Sequence, residues 1–405
     1  MRLNLSFMRS IGIRVGILLC GLLFSALTTL KAQKAEIQSI IQQVSLDSLL
    51  YSVNQLTGIT PVNINGQSVS IFSRYRDQTP NAWAAIYLKN RLDAYGYETS
   101  YQYFDALGQN ILGYKKGSVF PNRVFVISAH YDAIAIPYNQ AVGADDNASG
   151  CAGVLEAARL LKDVELPYSV LFVFFDEEEQ GLIGSNAFTE QFDWDQYQVE
   201  AVFNLDMIGY DDNQDFRAEI HTRPYGNSIE LAEKIIGLND TFQIGLDLVI
   251  KNPGTTASDH DAFWQMDRTA ILLIEDKMDF NRYYHTKFDS VQYFHDSFFY
   301  RNTQFAIASL CWFASVEENT LNLSPANSKD EFLLYPNPSN GNTRVYLPEN
   351  GVLELYGVDG KRIYQETLEA GEHPLHLNAF GHTQLMVRFI GETSQFPAKW
   401  LLLSP

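Results

Sequence analysis

Six consecutive apolar residues, Val170 to Phe175, run without a break into four acidic ones, Asp176 to Glu179. A run with no polar face to show to water reads as a strand buried on both sides, as in a parallel sheet with helices above and below. Gln180 and Gly181 then break the chain, and Leu182 opens a helical pattern. In open α/β sheets, ligands bind beyond the carboxyl ends of the strands. This strand therefore carries negative charge to the edge where chemistry sits. An acidic surface turn would look the same, so what else reaches that edge decides between the two.

Strand and helix signals alternate around this run. Helical spacing extends from Ala35 to Thr57, through Ile37, Ile40, Ile41, Val44, Leu49 and Leu50, and again from Asn81 to Tyr95 between Pro80 and Gly96. Tyr97 to Phe104 alternates as a strand, with Asn110 to Tyr114 as its hairpin partner. From Val124 onward, strands over 124–128, 169–175, 201–205 and 269–274 alternate with helices over 149–162, 183–192, 227–238 and 259–266. A long helix from about 290 to 316 closes the unit. This order predicts a doubly wound, mostly parallel α/β sheet flanked by helices.

Beyond it the composition changes. Asn319 to Asp330 is polar and reads as a linker. Short alternating runs follow at 344–347, 353–356, 362–364, 375–377, 384–389 and 400–403, separated by Asn340-Gly341, Asn350-Gly351, Asp359-Gly360 and Ala370-Gly371. Such turn pairs between short strands predict a small all-β sandwich. The expected divisions are a leader at 1–32, an α/β domain at 33–318, a linker at 319–330 and a β domain at 331–405.

The leader is expected from Arg2, Arg9 and Arg14, which precede the apolar run Val15 to Leu27, with Ala32 just before Gln33. Positive residues, an apolar core and a small residue describe a signal peptide cleaved after about Ala32, and hence a secreted or cell-surface protein. The run is short for a membrane span and no later stretch is long enough, so no membrane span is expected in the mature chain. Leu19 stands before Cys20 where a lipidation site would have a small residue. A net charge of -19 argues against a nucleic-acid partner, because phosphate binding needs a basic face. Cys151 and Cys311 both fall in helical patterns and read as buried free thiols rather than a bridge.

Four other segments bring ligand-type side chains to strand ends. Strand 124–128 leads to His130 and Asp132, and the loop after it carries Asp145 and Asp146 just before a helix. Strand 201–205 leads to Asp206, and the loop beyond Ile274 carries His285. Each alone has an ordinary explanation: a strand-end histidine, helix-capping aspartates, a turn residue, a solvated loop. Their convergence at one sheet edge does not. Two histidines and three carboxylates are nitrogen and oxygen donors suited to Zn²⁺, with no thiolate to close the site. A carboxylate shared between two ions would leave another free as a general base. Adjacent Glu178 and Glu179 allow one to bind metal while the other faces water.

The segments SAHYD at 128–132, GADDNASG at 143–150, EEQGLIGS at 178–185, NLDMIGY at 204–210 and YHTKFDS at 284–290 resemble the co-catalytic zinc aminopeptidases of family M28, in the family's order. The resemblance runs from about Asn110 to Val316 and implies a zinc-exopeptidase fold with two Zn²⁺ as cofactors. It implies that His130 and Asp206 hold one zinc, Glu179 and His285 the other, and Asp146 bridges them. Asp145 is left out. Glu178 is implied as the general base, and Asp132 as the residue that orients His130. The implied reaction removes N-terminal residues from peptide substrates, with Glu178 deprotonating a water held between the two zincs. Ser258, Asp259 and His260 resemble a family segment lining the substrate pocket; as a helix N-terminus they could equally be caps. Glutaminyl-peptide cyclotransferases on a similar fold, and non-catalytic binding relatives, are the alternatives. His295, on the last helix, reads as structural; His221, on a strand, is unassigned; His373, His376 and His382 read as exposed strand or turn residues.

The C-terminal module resembles the secretion-signal domain of the type IX system of Bacteroidota, through Leu334 to Gly341, Tyr356 to Lys361 and Lys399 to Leu401. Gly381, His382, Thr383 and Gln384 depart from the family's Gly-Xaa-Tyr pattern. This resemblance implies the secretion and sorting machinery as a partner and no part in catalysis. A carbohydrate-binding or adhesion sandwich is the rival.

Overall fold

The computed structural model describes residues 31, 33–315, 333–335, 342–347, 349–357, 361–376, 384–392 and 399–402. The expected signal sequence apart from Lys31, the expected linker, the Pro336 to Gly341 part of the turn motif and His382 lie outside the described residues. The chain divides into two compact units, residues 1–320 and 321–405.

The first unit opens with helices α1 (33–41) and α2 (Leu46–Leu56) and a short hairpin, β1 (Val62–Ile64) and β2 (Gln67–Val69). Then come α3 (Thr79–Ala94), β3 (Glu98–Tyr103), β4 (Gln109–Lys115), β5 (Phe120–His130), α4 (Gly150–Leu161), β6 (Tyr168–Phe175), α5 (Ile183–Gln191) and β7 (Gln198–Leu205). The unit ends with β8 (Arg217–His221), α6 (Ser228–Thr241), β9 (Asp247–Lys251), α7 (His260–Gln265), β10 (Ala270–Glu275) and α8 (Asp296–Ala314). Eight strands form one sheet in the order β3-β4-β6-β5-β7-β10-β8-β9. The four central strands β6, β5, β7 and β10 are parallel, while β4 and β8 pair antiparallel at either side. Helices α4 and α8 cover one face, and α5 and α7 the other.

Strand β6 is buried along its whole length, as its apolar run requires. Val126, Phe175, Val202, Phe263 and Trp264 fill the core on the α5/α7 side. Among the described residues no helix is long and apolar enough to cross a membrane.

The observed elements depart from the sequence expectations in instructive places. Strand β5 is longer than 124–128, reaching back to Phe120 and forward to His130, so the histidine is the last strand residue. The last helix starts at Asp296, not 290, because residues 291–293 form a separate 3₁₀ turn and His295 is extended. Strand β9 and the β1–β2 hairpin were not foreseen, and of β8 only His221 was placed on a strand. Strand β8 reads Arg217-Ala218-Glu219-Ile220-His221, an alternation too short and too charged to give the strand's bounds from sequence.

The second unit is antiparallel. A three-stranded sheet joins β11 (Leu333–Tyr335), β12 (Asn342–Leu347) and β15 (Gly371–His376). A four-stranded sheet has the order β14 (Arg362–Leu368), β13 (Gly351–Tyr356), β16 (Gln384–Gly391) and β17 (Lys399–Leu402). Val345, Leu347 and Leu375 from the first sheet pack with Leu353, Leu355, Leu385, Val387 and Phe389 from the second. Two inner faces that share one apolar layer make a small sandwich.

Candidate active site

The carboxyl ends of β5, β6, β7 and β10 open onto one edge of the large sheet. His130 is the last residue of β5, and Asp206 follows β7 directly. Glu178 and Glu179 lie in a 3₁₀ turn after β6. Asp146 sits in the turn before α4, where its own φ and ψ are non-helical, and its peptide bond to Asn147 is cis. His285 is on the loop after β10 with φ +57°.

These side chains meet. His130 Nε2 is 3.2 Å from Asp146 Oδ1 and 3.4 Å from Asp206 Oδ1. His285 Nε2 is 3.3 Å from Asp146 Oδ2 and 2.9 Å from Glu179 Oε2. Asp146 thus offers one oxygen to each histidine, the position of a residue shared between two centres. Two sets of potential ligand atoms result, each within 4.8 Å of one another: His130, Glu178 and Asp206, and Asp146, Glu179 and His285. His130 and Asp206 are buried, whereas His285 is 38% exposed.

Burial and mutual charge set the protonation tendencies. Burial pushes the Glu178 carboxyl well above its usual range, against the pull of His130, with Asp259 and Asp206 adding to the rise. Burial also raises Glu179 to about 8, and nearby Asp146 reinforces it. Burial would lower His130, yet Glu178 and Asp206 hold it well above the ordinary imidazole value. His285 is raised to about 10, because its hydrogen bonds to the Asp146 and Glu179 carboxylates outweigh its burial. Asp146 goes the other way: its two histidine partners overcome burial and keep it ionised. So much buried negative charge calls for cations.

The donor set fits zinc. It supplies two imidazoles and three carboxylates and no thiolate, the set of an open rather than a closed structural site. Asp206 Oδ1 is buried and, beyond its 3.4 Å ion pair with His130, has no hydrogen-bond partner, which leaves it open to a cation.

The surrounding residues hold the edge rigid. Asp132 is fully buried; its carboxylate accepts the Glu178 N–H at 3.1 Å and the Glu179 N–H at 3.2 Å, and lies 3.5 Å from His130 Nδ1. One carboxylate therefore ties the β5 end to the Glu178 turn. Asp145, left out of the ligand set, faces inward: it accepts the Gly209 N–H at 2.8 Å, and burial raises it to about 6. The four acids after β6 also divide. Asp176 accepts from the Tyr131 hydroxyl at 2.6 Å and Asn81 at 3.0 Å, and Glu177 pairs with Arg76 at 3.0 Å. Only Glu178 and Glu179 face the site.

Three supporting roles were not read from the sequence, although Asp289 and Gly143 lie within the quoted motifs. Asp289 accepts the N–H groups of Asp145 and Asp146, both at 3.0 Å, and so fixes the loop that presents Asp146. Arg74 is fully buried and donates to the carbonyls of Tyr131 (2.6 Å), Leu56 (2.8 Å), Val142 (2.5 Å) and Gly143 (2.6 Å). It braces the β5 end against the Asp146 loop, and no local pattern around it in the sequence announces that role. Gly143 has φ +56°, and a Cβ there would fall 2.2 Å from the Asp146 carbonyl oxygen.

A cavity of about 410 Å³ opens beside Asp146, Glu178 and Asp206, walled by Met207, Ile274, Phe280 and Tyr284. Ser258, Asp259 and His260 do not line it; Thr255 and Ala257 do. The Ser258 hydroxyl accepts from Asn204 at 2.8 Å inside the scaffold, and His260 is buried against Trp264 with its pKa lowered to about 3 by burial. Asp259 is buried behind Glu178, where burial raises it to about 7 despite His130 and the Ser185 hydroxyl. The strand residue His221 lines the cavity but is fully bonded: Nε2 lies 2.7 Å from Glu219, and Nδ1 accepts the Thr255 N–H at 2.8 Å. His295 pairs with Asp211 at 2.7 Å, a structural contact. Cys151 and Cys311 are free and buried.

Known proteins resemble this chain in part of its sequence and in its fold. Aminopeptidase YwaD of Bacillus subtilis is 40% identical over 104 residues, 25% of this chain and 22% of that protein. The chain spans less than half the length of the curated relatives it matches. The LapA aminopeptidase structure of Legionella pneumophila is 21% identical with a TM-score of 0.61, covering 70% of this chain and 76% of that one. A glutaminyl cyclase structure from Porphyromonas gingivalis is 18% identical with a TM-score of 0.53, covering 66% and 98%. At these identities the two structures establish a shared fold. Residues 110–310, which contain all the ligand-type side chains gathered at the sheet edge, match the model of peptidase family M28.

Proposed function

We propose that this chain is a zinc-dependent aminopeptidase that hydrolyses N-terminal residues from peptides. The observation that carries the reading is Asp146: one carboxylate reaches His130 and His285 together, with Glu178 beside the pair at the mouth of a cavity. His130 and Asp206 would hold one zinc and Glu179 and His285 the other, with Asp146 common to both. When bound, the two ions would polarise the scissile carbonyl and make water more acidic. Glu178, whose burial favours taking up a proton, accepts one from the attacking water and returns it to the leaving amine. Asp132 keeps the Glu178 backbone and the His130 ring in register through that exchange. The acidic edge also attracts a free N-terminal ammonium, which favours exopeptidase over endopeptidase action.

The decisive test uses peptides with free, acetylated and glutaminyl N-termini, digested by the chain stripped of metal and then reloaded with zinc. Stepwise shortening from free N-termini alone, restored by about two zincs per chain, supports the reading. Loss of ammonia from the glutaminyl peptide without shortening would replace it with glutaminyl cyclisation. No change in any peptide would leave a binding protein.

The leader and the C-terminal sandwich belong to the proposal as export devices: a signal peptide at 1–32, and a type IX secretion domain that carries the enzyme across the outer membrane to the cell surface or medium. Deleting residues after about Asn327 should abolish export and leave hydrolysis intact. Loss of polysaccharide binding with export unchanged would make the sandwich an adhesion module.

A further inference from the structure

Exposed apolar side chains gather round the mouth of the site. Thirteen large hydrophobic residues are exposed among the described residues, and six of them, Ile136, Tyr138, Met278, Phe280, Tyr284 and Phe288, sit on just two loops, 133–142 and 276–290. Met278 is 87% exposed and Ile136 81%. The loops are joined by a backbone bridge between Ile136 and Thr286, one residue beyond His285. The Tyr284 ring stacks on the His285 ring with centroids 3.6 Å apart, and Phe280 packs edge-on against Tyr284 at 5.1 Å. Phe280 and Tyr284 also wall the cavity. Apolar surface therefore begins inside the cavity and continues past a ligand histidine onto the outer rim.

We propose that this rim binds apolar side chains at the second and third residues of a peptide substrate, an inference that rests on the aminopeptidase reading. Charge fixes the direction of the occupant. The inner end holds Asp146, Glu178, Glu179 and Asp206, where a peptide's amino terminus is attracted. The rest of the chain must then leave over the rim, where the exposed Ile136, Tyr138, Met278 and Phe288 offer apolar contact. Solvent-exposed apolar residues concentrated at one place mark an interaction surface. Continuity with the cavity assigns that surface to the substrate rather than to a second copy of the chain.

The test compares the zinc-loaded full chain with its Ile136→Ser/Met278→Ser double variant, neither residue being part of the catalytic machinery. Leucine p-nitroanilide, which has nothing downstream, should be hydrolysed within about twofold by both proteins. The peptide Leu-Phe-Val-Gly should exceed Leu-Ser-Gly-Gly in kcat/KM by about tenfold for the parent chain, the factor that partial burial of such side chains supports. That ratio should fall toward one in the variant. A ratio that survives the substitutions, or that is absent from the parent chain, overturns the proposal. So does a concentration-dependent dimer, seen by sedimentation, that the variant loses while the ratio stays put. If the anilide is not cut at all, the activity reading fails instead. Anisotropy of the two peptides, labelled at the C-terminus, on the Glu178→Gln chain then decides the rim: tighter binding of the apolar peptide by the parent surface only supports it, and equal binding overturns it.

Discussion

The two units of this chain treat buried charge in opposite ways. The α/β unit buries His130, Asp132, Asp145, Asp146, Asp206, Glu275 and Asp289 along one sheet edge. The described residues of the sandwich bury a single charged side chain, Glu354, which Arg362 and the Tyr356 hydroxyl satisfy at 2.6 and 2.8 Å. Desolvating carboxylates costs free energy that a stable fold has no reason to spend without return. The sandwich shows what packing alone requires: an apolar layer of Leu353, Leu355, Val387 and Phe389. The excess of buried acid in the other unit marks where function imposes its demand.

The largest effect that could break this contrast comes from Glu178. Glu178→Gln keeps the side-chain size and removes the proton acceptor, so turnover should fall by about 1,000-fold. Native mass spectrometry should still find the metals if, as proposed, His130, Asp146, Glu179, Asp206 and His285 hold them. Near-normal turnover would strip the acidic edge of its chemical meaning. Next is metal removal. Ions that bind only the folded edge stabilise it by about 4 kcal/mol when present at roughly a thousand times their dissociation constant. A chelator should lower the unfolding temperature of the α/β unit reversibly and leave the sandwich transition alone; a shift in both would show that the units are not energetically distinct.

Arg74 tests the frame behind the edge. Arg74→Met leaves the carbonyls of Leu56, Tyr131, Val142 and Gly143 without a donor, at a cost of about 3 kcal/mol or more. Calorimetry should record that loss, and zinc competition should show weaker binding because the Asp146 loop loses its brace. In the sandwich, Leu355→Ala should cost about 2 kcal/mol or more in its own transition, through a cavity in the shared apolar layer. Aminopeptidase turnover should change by less than about twofold. A larger drop would tie the sandwich to catalysis.

Much of this contrast was legible in the sequence because it rests on local pattern. The apolar run of β6 specified a strand buried on both faces, and the strand–helix alternation specified a mostly parallel sheet. His130, Asp146, Glu178, Asp206 and His285 stood out because each follows a strand signal. What escaped was carried by geometry that no local window contains. Arg74 acts on residues as distant in sequence as Gly143, and Asp289 reaches back to Asp145 and Asp146. Asp176 and Glu177 matched Glu178 and Glu179 in type, and only the turn after β6, with Glu177 at φ +57°, sends one pair inward and the other to the site. Ser258 and His260 read as pocket residues because their segment resembles one that lines the family's pocket, yet the hydrogen bonds to Asn204 and Thr255 commit them to the scaffold.

The smallest effect separates buried groups that work from buried groups that merely pack. Cys151 lies under the site and donates to the His130 carbonyl at 3.1 Å, while Cys311 lies on α8. Burial pushes both thiols up to about 12, so neither forms appreciable thiolate at neutral pH, and proximity to His130 does not make Cys151 reactive. The sign follows from linkage. The unfolded chain releases these protons near pH 9 and the folded one only near pH 12, so thiol burial favours the folded state less as pH rises through that window. At pH 8 an alkylating reagent should label neither cysteine in the folded chain and both after denaturation. Selective labelling of Cys151 would make it a nucleophile at the edge; silence from both makes them packing residues, unlike Glu178, which is only partly buried and lines the cavity.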